Sequence, residues 1–381
     1  MSNSTITVAP PVKRLHELDA IRGIASLIVV FQHYSELFYK RSGVQLSDPV
    51  SLLKATPFGI LVQGPAAVVT FFVLSGFVLS PPLRASVKPI SWLGFVMKRI
   101  CRLYLPFLVG LFLAVSADAS ISTHGIPSLN SWFNSSWNRE VDIRDALNHA
   151  LLVIHYDYTE YNKAYWTLAY EMQLSLVFPI LFWASERLSD RWAVAGCFAL
   201  LLIGTSNLTA YPYQIVYLAS VSGMFLLGIV LARKRVALHE RYRNSSPTSR
   251  RSLLAIGFLA LVYAGALRYR IFSVNVSPAI FAVGSAIIVT IASADKKHLA
   301  ILRSAPCQFL GKISYSLYLI HLTVLYAVIY RTYDWAHLSR AYWFLVLVAY
   351  LVLSIAVASI FFKAVEEPCI RLSHRFKLSP R

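Results

Sequence analysis

Ten apolar runs of bilayer length, or close to it, leave this 381-residue chain few folds to choose from. They fall at about 18–39, 59–80, 103–117, 165–184, 192–206, 211–232, 252–267, 276–293, 309–330 and 341–362. Lipid offers no hydrogen-bond partner to a peptide group, so each run must satisfy its own backbone as a helix. Composition agrees, being 57% hydrophobic and only 14% charged, far less charge than a soluble chain of this length carries. The expected fold class is therefore an all-α integral membrane protein of about ten transmembrane helices. A tail at 1–17 precedes a polytopic domain at 18–363, and a basic tail at 364–381 follows.

Basic residues set the orientation. With the N-terminus cytoplasmic, the inner segments hold 24 Lys and Arg and the outer loops hold 10. That asymmetry is the positive-inside pattern, and it places both termini in the cytoplasm. It also accounts for the net charge of +18 without nucleic acid as a partner, since loop cations meet anionic lipid instead. The first run is too long and too polar for a cleaved leader and is expected to stay as a signal anchor. Cys101, Cys197, Cys307 and Cys369 show no metal spacing, and neither a disulfide nor a metal is expected.

Pro81, Pro82, Arg84 and Lys88 read as a basic turn, and 91–102 as an interfacial helix with Trp92 and Phe95 on its apolar side. The one long loop, 118–163, is external and aromatic, with Trp132, Trp137, Tyr156, Tyr158 and Tyr161.

The first run puts charge into lipid. Asp19, Arg22, His33 and Glu36 all lie within it. Arg22 and His33 are eleven residues apart, near three helical turns, so they share a face and sit roughly 16 Å apart along the axis. Such a face must line a protein interior or a watery cavity. Glu171, in the first two turns of an inward-running span, is expected at the depth of His33. An imidazole beside a carboxylate is suited to general base work, and the bland alternative is a polar contact between helices. Arg22, Lys98, Arg99 and Arg102 form a basic cluster at the cytoplasmic side, suited to phosphate or to anionic lipid headgroups. His321 sits mid-span, as a packed helix contact near Tyr315 or Tyr318 or as a second candidate for catalysis. No HExxH, phosphate-binding loop, GxSxG elbow or metal cluster is present.

The stretch LDAIRGIASLIVVFQHY resembles the opening motif of the membrane-bound acyltransferase-3 family, in which ten residues separate an Arg or Lys from a His. FFVLSGFVLS, KRICRLYLPF, WTLAYEMQLSLVFP, LGKISYSLYLIHLTVL and VEEPCIRL follow in that family's order, so the resemblance runs from Leu18 to Leu372. Ala20 stands where the family commonly has Gly, and Glu171-Met172-Gln173-Leu174 stands where many members read EEQF. The resemblance implies a stand-alone O-acyltransferase of the cell membrane, in bacteria the inner membrane. It further implies acyl-CoA, most commonly acetyl-CoA, as donor, and a sugar, glycan or other lipophilic hydroxyl as acceptor. In these terms Arg22, Lys98, Arg99 and Arg102 would bind the donor, and His33, oriented by Glu171, would be the base. A transporter or flippase of a polar lipid or glycan is the rival reading, and oligomeric state, homo-oligomer included, is left open.

Overall fold

A computed structural model describes residues 15–38, 49–84, 91–121, 125–154, 160–204, 213–265, 270–271, 274–294, 299–336 and 340–376. Pro10, Pro11, Lys13, Arg14, Lys88, Tyr156 and Tyr158 lie outside the described residues. The architecture is helical. In chain order the helices are α1 (His16–Glu36), α2 (Pro49–Lys54), α3 (Gly64–Arg84), α4 (Trp92–Arg99) and α5 (Leu105–Ile121). Short α6 (Ser131–Asn134) and α7 (Ile143–Ala150) follow, then α8 (Tyr165–Arg187), α9 (Asp190–Gly204) and α10 (Tyr213–Arg233). The series closes with α11 (Arg235–Asn244), α12 (Pro247–Tyr263), α13 (Ser277–Ala294), α14 (Ala305–Ala336), α15 (Arg340–Phe361) and α16 (Glu367–Ser373). A two-residue ribbon, Arg270–Ile271 against Val274–Asn275, sits between α12 and α13.

Among the described residues, seven continuous helices are long and apolar enough to cross a membrane. They contain α3, α4 with α5, α8, α10, α13, α14, and α15 with α16. Among the other expected spans, α1 carries Glu17, Asp19, Arg22 and Glu36, while α9 and α12 are shorter, at 15 and 17 residues.

Two local expectations need correction. Pro81 and Pro82 do not make a turn but lie within α3, which ends at Arg84. A proline there loses only bonds to the preceding turn and ends the helix soon after. The stretch 91–102 runs directly into the third span: α4 and α5 join through a π-turn at Ile100–Tyr104 into one helix over Trp92–Ile121. Phe95 is buried there, whereas Trp92 is exposed and donates its indole N–H to the Leu176 carbonyl at 2.9 Å. Asp118, expected to begin the long loop, is still in α5. At the far end the helix of α15 continues past 363 through a second π-turn, Phe362–Glu366, into α16.

Helix ends reveal the relative directions. Arg84, Arg233 and Glu186 bring together the C-terminal ends of α3, α10 and α8, with Arg84–Glu186 at 2.5 Å and Arg233 donating to the Ser185 carbonyl at 2.7 Å. His239 of α11 bonds Ser293 at 2.8 Å, which puts the end of α13 at the same level. The starts of α1 and α14 meet through Glu17 and Arg303 at 2.5 Å.

α1 and α14 are the central pair. Gly23 and Gly311 face each other across backbone contact; a Cβ on Gly311 would lie 2.5 Å from the Asp19 carbonyl oxygen. Ten residues further along each chain, His33 meets His321. Contacts that advance together on both helices mean the pair runs parallel and in register.

A histidine pair at one end of a polar seam

Both histidines occupy equivalent positions, ten residues beyond a glycine that lets the helices touch. His33 Nδ1 lies 2.8 Å from His321 Nε2, with the rings stacked at 5.0 Å between centroids. His321 is fully buried, and its Nδ1 lies 2.8 Å from the Tyr318 carbonyl and 3.1 Å from the Leu317 carbonyl. A carbonyl only accepts, so His321 Nδ1 carries the hydrogen and the neutral ring presents a lone pair at Nε2. His33 Nδ1–H therefore donates to His321, and the lone pair of His33 is at Nε2. That is the tautomer a general base requires, fixed by an in-turn hydrogen bond on the neighbouring helix.

Segment 125–137 folds over this pair. Asn130 Oδ1 caps α6 by accepting from Phe133 N–H at 3.1 Å, while its amide donates to the Glu36 carbonyl at 2.5 Å. One side chain thus ties the start of α6 to the end of α1. Asn134 holds the strand before it through Ile126 and Leu129, and Phe133 and Trp137 are fully buried. The result is a fixed place for Trp132, whose indole stacks on His33 at 5.8 Å and 18°. Trp137 takes a left-handed backbone, φ 55°, unusual for a bulky side chain, while its backbone N–H donates to the Glu160 carbonyl and its indole to the Tyr161 carbonyl.

Glu171 does not meet His33; among the described residues no hydrogen bond or ion pair joins them. It pairs with Arg99 at 3.3 Å and accepts from Ser75 Oγ at 3.2 Å. The expectation of equal depth fails for a physical reason. Tyr161, Asn162 and Ala164, just before α8, are themselves buried, and Asn162 donates to the Leu319 carbonyl at 3.1 Å. The loop dips into the bundle, so α8 starts deep: Thr167 in its first turn already meets the Tyr318 hydroxyl at 2.5 Å. Glu171, one turn on, lies within electrostatic reach of Tyr315, six residues or about 9 Å along α14 from His321.

The other half of the seam is basic. Arg99 is buried, donating also to Ser175 Oγ at 3.0 Å, so its guanidinium is largely engaged within the protein. Arg22 pairs with Asp19 at 3.5 Å and lies within electrostatic reach of Arg99. Arg102 is exposed and, with Arg22, within reach of Glu366, which accepts from the Ser316 N–H at 3.1 Å and hydroxyl at 2.5 Å. Lys98 neighbours Arg102. The structure thus places Arg22 within reach of Arg99 and Lys98 within reach of Arg102, joins Glu171 to Arg99 rather than to His33, and brings His321, Trp132 and Lys163 to His33 instead. One signal in the sequence pointed to His321: the Gly-to-His spacing of ten recurs in α1 and α14.

Comparison with known proteins agrees with the geometry. The Acyl_transf_3 family model, described as an acyltransferase domain, matches residues 15–363. The chain is 25% identical over 399 residues to acyltransferase MdmB of Streptomyces mycarofaciens, covering 96% of this chain and 94% of that one. It is 24% identical over 277 residues to O-acetyltransferase PaAT-1 of Phomopsis amygdali, covering 62% of this chain but only 52% of that relative. No solved structure matches.

Proposed function

Since the chain belongs to the Acyl_transf_3 family of acyltransferases and is a multi-pass O-acyltransferase, we propose that it moves an acetyl or other acyl group from cytoplasmic acyl-CoA to a hydroxyl of a sugar, glycan or other lipophilic acceptor. The observation that carries this reading is the His33–His321 pair with its lone pair at His33 Nε2. His33 takes the acceptor hydroxyl proton as the oxygen attacks the thioester carbonyl carbon. Collapse breaks the C–S bond, and the imidazolium returns its proton to the leaving thiolate. While His33 is charged, its Nδ1–H bond to His321 becomes charge-assisted and stronger, so the pair favours the transition state over the ground state.

The donor's phosphates dock at Arg22, Lys98 and Arg102, with Arg99 held behind them by Glu171. Glu171 acts at this end of the seam rather than on His33. A flexible acylated arm then threads the roughly 16 Å from Arg22 to His33. In this reading ten helices cross the cell membrane, the bacterial inner membrane, with α1, α9 and α12 added to the seven long ones and both termini cytoplasmic. The parallel run of α1 and α14 and the shared ends of α3, α8, α10 and α13 support that count. The printed name of PaAT-1 supports acetyl as the group transferred.

Labelled acetyl-CoA given to purified protein with candidate hydroxyl acceptors should yield labelled ester, and no ester from His33→Ala. Ester formation that His33→Ala leaves intact would refute this assignment. Topology has its own test: an impermeant thiol reagent applied outside cells should label Ser131→Cys and not Asn244→Cys. The reverse pattern would invert the donor and acceptor sides.

Arg22→Ala is expected to weaken binding of a non-hydrolysable acyl-CoA analogue about 10-fold or more, as loss of a charge-assisted contact does, with a smaller effect on turnover. Intact affinity with lowered turnover would remove Arg22 from the phosphate site.

A further inference from the structure

Among the described residues, Lys163 is the cation the fold brings close to the histidine pair. It follows Asn162, whose amide grips the Leu319 carbonyl two residues before His321, so its backbone is fixed to the helix that carries the pair. Its ammonium donates to Ser136 Oγ at 2.6 Å and lies over the rings of Trp132 at 5.4 Å and Tyr326 at 6.0 Å. Trp132 is the indole stacked on His33, and Lys163 is within electrostatic reach of His33 itself. Trp137, with its left-handed backbone, donates its backbone N–H to the Glu160 carbonyl and its indole N–H to the Tyr161 carbonyl, and so ties the segment carrying Trp132 to the segment carrying Lys163.

A cation beside a general base works against the imidazolium that the base must become. The placement is favourable only if negative charge develops between the two at the same moment, as it does on the carbonyl oxygen during acyl transfer. Resting on the acyl-transfer reading above, we propose that the Lys163 ammonium is the oxyanion-binding group of this site. As the acceptor oxygen bonds to the carbonyl carbon and His33 takes its proton, the carbonyl π pair moves onto oxygen and Lys163 holds that charge. When the pair returns, the C–S bond breaks and the thiolate takes the proton from His33. Lys163 keeps its own proton throughout. A positioned donor in a site shielded from water contributes in this manner far more than it would in solution.

Lys163→Met keeps the apolar stem and removes the charge. It should lower kcat about 10²-fold, as loss of one oxyanion donor does, with KM for donor and acceptor changed no more than a few-fold. Lys163→Cys should be similarly impaired, and aminoethylation of that thiol, which rebuilds the ammonium, should restore a large part of the lost kcat relative to the parent protein treated alike. The rescue guards against misfolding, since a collapsed site would not recover. Three results would overturn the inference: kcat near that of the parent in Lys163→Met, a raised acceptor KM with kcat unchanged, or no recovery on aminoethylation. If His33→Ala abolishes transfer while Lys163→Met does not, the oxyanion role falls and the acyl-transfer reading stands. If the parent forms no ester, both fall.

Discussion

His33→Ala should lower acyl transfer about 10²–10⁴-fold, the usual worth of a positioned general base. The protein should still insert and still bind acyl-CoA, because a lost polar contact between membrane helices averages only about 0.6 kcal/mol. His321→Ala should come close to the same loss. It removes the acceptor that holds His33 Nδ1–H, so the ring is no longer committed to the tautomer with its lone pair at Nε2. Groups that act as a unit are strongly non-additive, so the double variant should be scarcely slower than His33→Ala alone. Measured single-turnover rates for the three variants check this. Fully multiplied losses would mean that the histidines act separately and that His321 is a packing residue.

Gly311→Ala carries the second large effect, though it touches no reacting atom. The new Cβ would lie 2.5 Å from the Asp19 carbonyl oxygen and 2.6 Å from its carbon, both backbone atoms of α1 that no rotamer change can move aside. The two helices must separate or slip. A displacement of about 1 Å at a reacting centre costs on the order of 10² in rate, and overpacking at such a contact costs roughly 1–3 kcal/mol of stability. Both kcat and the thermal midpoint should fall. Gly196→Ala is the control: its Cβ would meet only Leu226 Cδ2 at an ordinary 3.8 Å, and it should leave both unchanged. An active, stable Gly311→Ala protein would mean that the register of α1 and α14 does not set the geometry of the pair.

Much of the framework was legible because its causes are local. Apolar length marks the spans, and the eleven-residue interval places Arg22 and His33 on one face of α1, as helical geometry requires. The partner of His33 was not legible in the same way. Depth was reckoned from where an apolar run begins, which assumes that the segment before it lies in water. Tyr161, Asn162 and Ala164 break that assumption by burying themselves, and so carry Glu171 inward to Arg99. Trp132 and Lys163 were hidden for a related reason: they belong to a loop whose position depends on Asn130 and Trp137 bonding to distant backbone. Side chains that bond main-chain groups far away leave no periodic trace. The basic residues fall between the two cases, since Arg22 lies within reach of Arg99 and Lys98 of Arg102, but Arg99 is engaged by Glu171 and Ser175.

The parallel pairing of α1 with α14 has a consequence for how the enzyme comes into being. The partners of the histidine bond are separated by 288 residues of chain. At about 5–20 residues per second of synthesis, roughly 15–60 s pass between the emergence of His33 and that of His321. During that interval Arg22 has Asp19 of its own helix and His33 has Trp132, but the backbone contact at Gly23 and the bond to His321 wait for α14. A chain arrested anywhere before α14 lacks His321, so the histidine pair comes into existence only when the bundle is nearly complete.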